Sequence, residues 1–492
     1  MKTMKKLMAL VLGVVMMLAM TVSAFADGTT TNTISVPASD THSYSVYQIF
    51  TGDLSTDGKL SNVKWGANGT GTKGEDVAED VLNELTSVDA NASDTEKLAV
   101  IEKYFDSTSE SVGTVTNTST YEAATGYYLI KDATDVDKTD AYTKYIVKVV
   151  GDVEITRKAD VPTFVKKVQD TNDSNGTTSD WQDSADYDIG DAVPFKLTGT
   201  VADNMSSYKS DYYFAFSDTM DASLDFNTDS VVVKVDGVEN TSDWKIKVND
   251  DKHGFTLSFA DLKTVDGVKD GSVITVEYTA TLNASAVTGS QGQINTGKLI
   301  FSNNPNSDQG GENGPTGETP EDTVIVFTYE FDANKVDENL DPLKGAGFTL
   351  YKKASDGTYA AIGDEVKGED LTTFTWKGID DGDYKLVETT TPDGYNTISP
   401  IEFTVSATHK ETTDVTTERT SVLTALSATK ADGSTLATGD VGTGILETQV
   451  INQSGSTLPS TGGMGTTMFY IIGGILMVGA AVILISRRRM SK

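Results

Sequence analysis

The sequence predicts an all-β chain: β-sandwiches in tandem, short helices inserted near the start, and one membrane-spanning helix near the C-terminal end. Three observations predict it. Most of the body is cut into short alternating segments, such as Tyr44–Phe50, Tyr145–Val150, Val231–Val235, Val273–Tyr278 and Phe348–Tyr351, separated by Gly, Asn, Asp and Thr turns. Helical spacing stands out in one stretch, where Val77, Val81, Leu82 and Leu85, and then Leu98, Ile101 and Phe105, recur between Glu75 and Phe105. Met468–Ile485 is an uninterrupted apolar run, long enough at roughly 27 Å to cross a bilayer core as a helix.

Residues 1–26 read as a secretory signal: Lys2, Lys5 and Lys6, then an apolar run from Leu7 to Met20, then Ala24-Phe25-Ala26 as a small-x-small cleavage site. Two composition shifts divide the body of the chain. Lys158-Ala159-Asp160-Val161-Pro162 opens a new module, and a Gly/Asn/Pro loop over 303–321 precedes another. The predicted modules are therefore 27–158, 159–322 and 323–455, with short linkers that favour a stiff rod. Residues 456–492 form a terminal segment holding the helix at 468–485 and the cytoplasmic basic tail Arg487-Arg488-Arg489.

Composition removes several function classes. The 492 residues contain no cysteine and three histidines, His42, His253 and His409. Disulfides, thiolate metal sites and thiol nucleophiles are thus excluded, and a His-rich metal centre is not expected. With 39 basic and 72 acidic residues the formal charge is −33, which repels a phosphate backbone and argues against nucleic acid as a partner. Loss of both processed ends takes away seven basic residues and no acid, leaving a still more acidic exported body. Neither Gly-x-Ser-x-Gly nor His-Glu-x-x-His occurs, and the chain is not predicted to be an enzyme or to need a cofactor.

Ionisable residues on apolar faces carry the chemistry. From Ile325 the odd positions run Ile325, Phe327, Tyr329, Phe331, Ala333, Lys335, so a single strand would bury Lys335 at the end of its inner face. Tyr384, Leu386 and Glu388 share a face, as do Leu446, Val450 and Asn452. The middle module repeats the pattern with Pro162, Phe164, Lys166 and Val168, with Tyr212, Phe214, Phe216 and Asp218, and with Asn295, Leu299, Phe301 and Asn303. Lys167 falls on the opposite face from Lys166. A buried lysine tends to lose its proton and becomes a nucleophile, and a buried carboxyl tends to keep its own.

These motifs carry resemblances. Leu458-Pro459-Ser460-Thr461-Gly462, followed by the span and the basic tail, resembles the LPxTG sorting signal of Gram-positive surface proteins. That resemblance implies a sortase cut between Thr461 and Gly462, with Thr461 passed to an amine. Asn334-Lys335-Val336-Asp337, Pro342–Phe348, Glu388–Tyr395 and Asn452 resemble a collagen-adhesin B-type domain, with Thr391 where Ala is common. Phe216–Met220 and Asn295–Pro305 resemble an isopeptide-forming fimbrial middle domain. Tyr44–Phe50 and Gly126–Lys131 are similar to amino-terminal pilin domains.

The implied fold is a series of immunoglobulin-like, collagen-adhesin-type sandwiches. The implied bonds are Lys335–Asn452 with Glu388 as the acid and Lys166–Asn295 with Asp218 as the acid, Asn303 remaining a competitor for Lys166. The acid would polarise the asparagine amide through its oxygen and move protons as ammonia leaves. Taken whole, the chain resembles a major (shaft) pilin, which implies pilin-type and housekeeping sortases, further copies of the chain, accessory tip or base pilins and peptidoglycan as partners. Lys158 in Val153–Lys158 would be the acceptor lysine, with Arg157 where the family has Pro. The alternative is a monomeric wall-anchored adhesin with a host ligand.

Overall fold

The computed structural model describes residues 31–54, 60–88, 100–134, 140–141, 144–155, 160–305, 307–410, 415–455 and 464–490. The predicted signal, Lys158 and the pentapeptide Leu458–Gly462 lie outside them. The chain is mostly β, in tandem units, with an apolar helix at the C-terminal end.

The first unit centres on Tyr44–Leu54, which pairs with Leu60–Trp65 on one side and Gly126–Asp132 on the other, with Lys144–Val149 beyond. A bulge between Gln48 and Phe50 interrupts the central pairing. It lets one strand serve two cores: Tyr44 and Val46 pack with Tyr128 and Ile130, whereas Ile49 and Phe50 pack with Trp65 and Tyr127. Among the described residues, the helical spacing is met in two places, and Leu98 lies outside them. One helix covers Glu79–Ser87 and buries Leu85. Val77 precedes it as a core residue, and Phe105, which follows helical residues 100–102, packs against the same core from outside a helix.

The second unit is a sandwich of two sheets. One runs Val238–Glu239, Leu224–Val235, Val273–Leu282, Ala192–Thr200, Thr163–Val168. The other runs Ser184–Asp186, Asp322–Phe327, Gln293–Ser302, Phe214–Met220, Gly254–Phe259, Lys245–Val248, with Thr316–Glu318 added beside Gln293–Ser302. Strict alternation explains the core: Val193, Phe195 and Leu197 point inward from one sheet, and Phe214 and Phe216 from the other.

The third unit has a three-stranded sheet, Thr373–Ile379, Tyr329–Val336, Ile445–Ile451, whose last two strands run parallel. A larger sheet built on Gly347–Lys353, Gly382–Thr390, Ile401–His409 and Leu423–Lys430 covers it. Phe331, Phe348, Phe374, Tyr384 and Phe403 fill the space between.

The expectation of one strand running from Ile325 to Lys335 needs correction. The chain breaks at Thr328 into Asp322–Phe327 and Tyr329–Val336. The first piece belongs to the second unit's sheet, pairing Val324 with Asn295. Both of its faces are covered: Val324 and Val326 enter the second core, Ile325 and Phe327 the third. This explains why the segment reads as continuously apolar rather than alternating. The second unit's sheet therefore extends past the boundary predicted between 322 and 323. Helix Met464–Met490 contains the exposed apolar span Phe469–Arg487, whose mean hydropathy is 2.4.

Candidate bond-forming sites

In the second unit, Lys166 lies on the edge strand of one sheet, while Asp218 and Asn295 lie on adjacent strands of the other. The side chains of Lys166 and Asp218 are fully enclosed. Lys166 Nζ donates to Asp218 Oδ2, and it also donates to the Tyr278 hydroxyl at 2.9 Å. That hydroxyl donates to Asp218 Oδ2 at 2.9 Å and accepts from Asn295 Nδ2 at 2.9 Å. The four residues make one buried network.

Burial pulls the Lys166 amine down, against the attraction of Asp218. The same burial pushes the Asp218 carboxyl up, against Lys166 and the Tyr278 hydrogen bond. Both shifts favour a neutral amine beside a neutral acid. Asp218 Oδ1 and Asn295 Oδ1 are buried without a hydrogen-bond partner.

The structure separates the two asparagine candidates. Asn295 joins the Lys166 network. Asn303 lies eight positions further on, about 26 Å along an extended strand, and its Nδ2 donates to the Asp140 carbonyl at 3.3 Å. Lys167 points away and pairs with Asp183.

In the third unit, Lys335 and Asn452 come from the neighbouring parallel strands. Lys335 is level with Val450, so Asn452 follows two residues later, just past the end of its strand. The Val336 carbonyl joins them: it accepts from Lys335 Nζ at 2.9 Å and from the Asn452 backbone N–H at 3.1 Å. Lys335 Nζ also donates to Val450 O at 3.1 Å. Glu388 arrives from the opposing sheet; its Oε1 accepts from Asn452 Nδ2 at 2.8 Å and its Oε2 from the Ile398 N–H at 3.0 Å. Burial brings the Lys335 amine down to about 8, with Glu388 and Asp337 pulling the other way.

One expectation is corrected. The resemblance places the acid at the amide oxygen, yet Glu388 meets the amide nitrogen, and Asn452 Oδ1 is buried without a partner. An Nδ2–H can only donate and the Glu388 oxygens here act as acceptors, so this pairing satisfies both. Sequence reasoning also passes over Tyr278. It sits on the inward stripe Ile274, Val276, Tyr278, Ala280, Leu282, where its hydroxyl is the one polar atom among aliphatic side chains.

Comparison with known proteins adds to this geometry. Residues 330–420 match the SpaA prealbumin-like fold domain, and residues 451–492 match the LPXTG cell wall anchor motif. The trypsin-resistant surface T6 protein of Streptococcus pyogenes serotype M6 is 28% identical over 392 residues, covering 68% of this chain and 70% of that protein. The chain is an LPXTG-anchored homologue of the T6 pilin.

The solved structure of the T6 backbone pilin, described as modular and three-domain, matches this homologue with a TM-score of 0.51 and 21% identity, covering 88% of this chain and all of that one. The full-length major pilin SpaD of Corynebacterium diphtheriae gives a TM-score of 0.45 at 17% identity, covering 87% of this chain and 98% of that one. The anchor and the apolar helix make the homologue a cell-wall-anchored surface protein whose precursor is held in the membrane.

Proposed function

We propose that the chain is the repeating subunit of a covalent surface fibre. A pilin-type sortase joins Thr461 of one copy to Lys158 of the next, a housekeeping sortase attaches the fibre to peptidoglycan, and each copy staples itself through Lys166–Asn295 and Lys335–Asn452. The observation that carries this reading is the repeated buried set: a lysine, an acid and an asparagine enclosed in each of two sandwich cores. A static network of this kind is expensive. A buried amide oxygen without a partner costs about 1–3 kcal/mol, and enclosing charge costs more. The second cost falls when the amine attacks the amide carbon and ammonia departs, because the lysine nitrogen becomes an uncharged amide.

Glu388, whose Oε1 accepts from the amide nitrogen, takes a proton from the Lys335 amine during attack and returns it to the leaving nitrogen. The main-chain acceptors at Val336 and Val450 hold the Lys335 amine beside it. Folding supplies the orientation, and each bond forms once.

Two measurements test the proposal. Each bond releases one ammonia, about 17 Da, so the exported region should weigh about 34 Da less than its sequence mass. Linked-peptide sequencing should find Lys166–Asn295 and Lys335–Asn452. Cell-wall extracts should show a ladder of high-mass species that survives boiling in detergent, and Lys158→Ala should abolish it. An unchanged ladder in that variant would move the acceptor elsewhere. A single band near monomer mass with the sortase present would favour a monomeric adhesin.

A further inference from the structure

The two sites solve one problem with different acids. In the third unit Glu388 reaches the asparagine directly, Oε1 to Nδ2 at 2.8 Å. In the second unit the acid is one methylene shorter. Asp218 bonds Lys166, and among its hydrogen bonds none goes to Asn295. The Tyr278 hydroxyl spans the difference, at 2.9 Å from Lys166 Nζ, from Asp218 Oδ2 and from Asn295 Nδ2. It touches both the atom that attacks and the atom that leaves.

The ring is held for this task. It packs edge-on against Phe255, with centroids 5.0 Å apart, and stacks on Phe195 at 5.5 Å. Its strand partner Phe195 is two positions from Leu197, which pairs with Lys166.

We infer that Tyr278 is a catalytic residue of the middle-unit bond, relaying a proton from the Lys166 amine to the departing Asn295 nitrogen. The inference rests on the proposed Lys166–Asn295 bond. The balance is complete without another reactant. Neutral Lys166 Nζ forms a bond to Asn295 Cγ, and the Cγ–Nδ2 bond breaks. One Nζ proton passes to the Tyr278 oxygen; the phenol proton, aimed at Asp218 Oδ2 in the resting site, turns to Nδ2 once attack on Cγ frees that nitrogen's lone pair, and ammonia leaves with the phenol restored. Asp218 holds the phenol and the amine in place. The third-unit site needs no such relay, because Glu388 contacts the leaving nitrogen itself.

The test uses the full exported region, with linked peptides quantified against time and folding followed by near-UV circular dichroism. Wild type first has to yield the Lys166–Asn295 peptide; its absence would end the bond-forming reading itself. Given that bond, Tyr278→Phe keeps the ring, and its linking should slow by at least about tenfold, within the range for one proton-transfer group. The Lys335–Asn452 bond should form normally in the same molecules.

Asp218→Glu combined with Tyr278→Phe adds one heavy atom and removes one, so packing is nearly conserved. The longer acid should restore linking, an effect a purely structural tyrosine would not produce. Wild-type rates in folded Tyr278→Phe would overturn the inference, as would a folded double variant that links no faster than the single. If Tyr278→Phe does not fold, the double variant decides alone: linking supports the relay, and folding without linking overturns it. Failure of both to fold would assign the phenol to the fold and not to the reaction.

Discussion

Lys335 is where burial becomes chemistry. Its amine sits near 8 where an ordinary lysine titrates at 10.5. Attack requires the neutral form, so bond formation in the third unit should speed up with pH and level off above about 8. A slowed variant such as Glu388→Asp, purified unlinked below pH 7 and shifted upward, gives the profile by intact mass; a flat profile would refute it. The sign for stability follows from linkage. Between the folded value near 8 and the unfolded value near 10.4, the unfolded chain binds more protons, so stability rises with pH. Asn452→Ala, which keeps Lys335 but forms no bond, should therefore resist urea better at pH 10 than at pH 8.

Burial of ionisable groups is legible where alternation places a charged or amide side chain on an aromatic face: Asp218 after Tyr212, Phe214 and Phe216, or Glu388 after Tyr384 and Leu386. What parity cannot encode is distance along a face. Asn295 and Asn303 share parity, and only the pairing of Asn295 with Met220 and Val324 puts it beside Asp218. Tyr278 was invisible for a different reason: a tyrosine in an apolar stripe reads as packing until its hydroxyl is seen between three polar groups.

Among elements, the junction of the second and third units is built from a shared strand and a shared cation. Lys352 of the third unit donates to Asp173 and Asp188 of the second and to Asp380 of its own, at 3.0, 2.7 and 2.5 Å. These carboxylates hold its ammonium well above the usual lysine range. Burial pushes Asp380 up strongly, with Lys352 opposing. Replacing Lys352 with Met would leave Asp380, itself 1% exposed, without its counter-charge, and breaking such a pair typically costs 3–5 kcal/mol. Exposure of Asp173 moderates this, so about 3 kcal/mol is expected, read as a lowered unfolding midpoint in a chain whose isopeptides are blocked by Asn295→Ala and Asn452→Ala. No change would mean that the shared strand alone holds the junction. Alternation announced the strands here but not the break at Thr328, because Asp322–Phe327 is covered on both sides and loses its period.

For the whole molecule, the proposed bonds act on tension. Lys335–Asn452 would close a loop of more than a hundred residues, worth about 5 kcal/mol on the chain-entropy account. More to the point, it would join neighbouring parallel strands that begin and end the third unit, so a pull along the chain passes through a covalent link instead of unzipping a ladder. Single-molecule stretching should show no extension from the residues each bond encloses, 166–295 and 335–452. Asn452→Ala should add one event, sized to the residues enclosed between 335 and 452. An unfolding event of that size in the linked wild type would contradict the assignment.

The strand Asp322–Phe327 would also give the proposed middle bond a place in the order of export. It lies beside the segment carrying Asn295, and the Asp322 carboxylate accepts the Lys166 backbone N–H at 2.7 Å. Both partners of the proposed middle bond would therefore wait for residues that leave the cell well after them. A nascent chain whose last exported residue precedes 322 has its lysine, aspartate, tyrosine and asparagine outside but lacks the clasp that seats them. Truncation at 321 should leave this bond unmade, whereas ending the chain at 328 should permit it. The proposed staple would thereby double as a receipt, closing only once the following unit has begun to emerge.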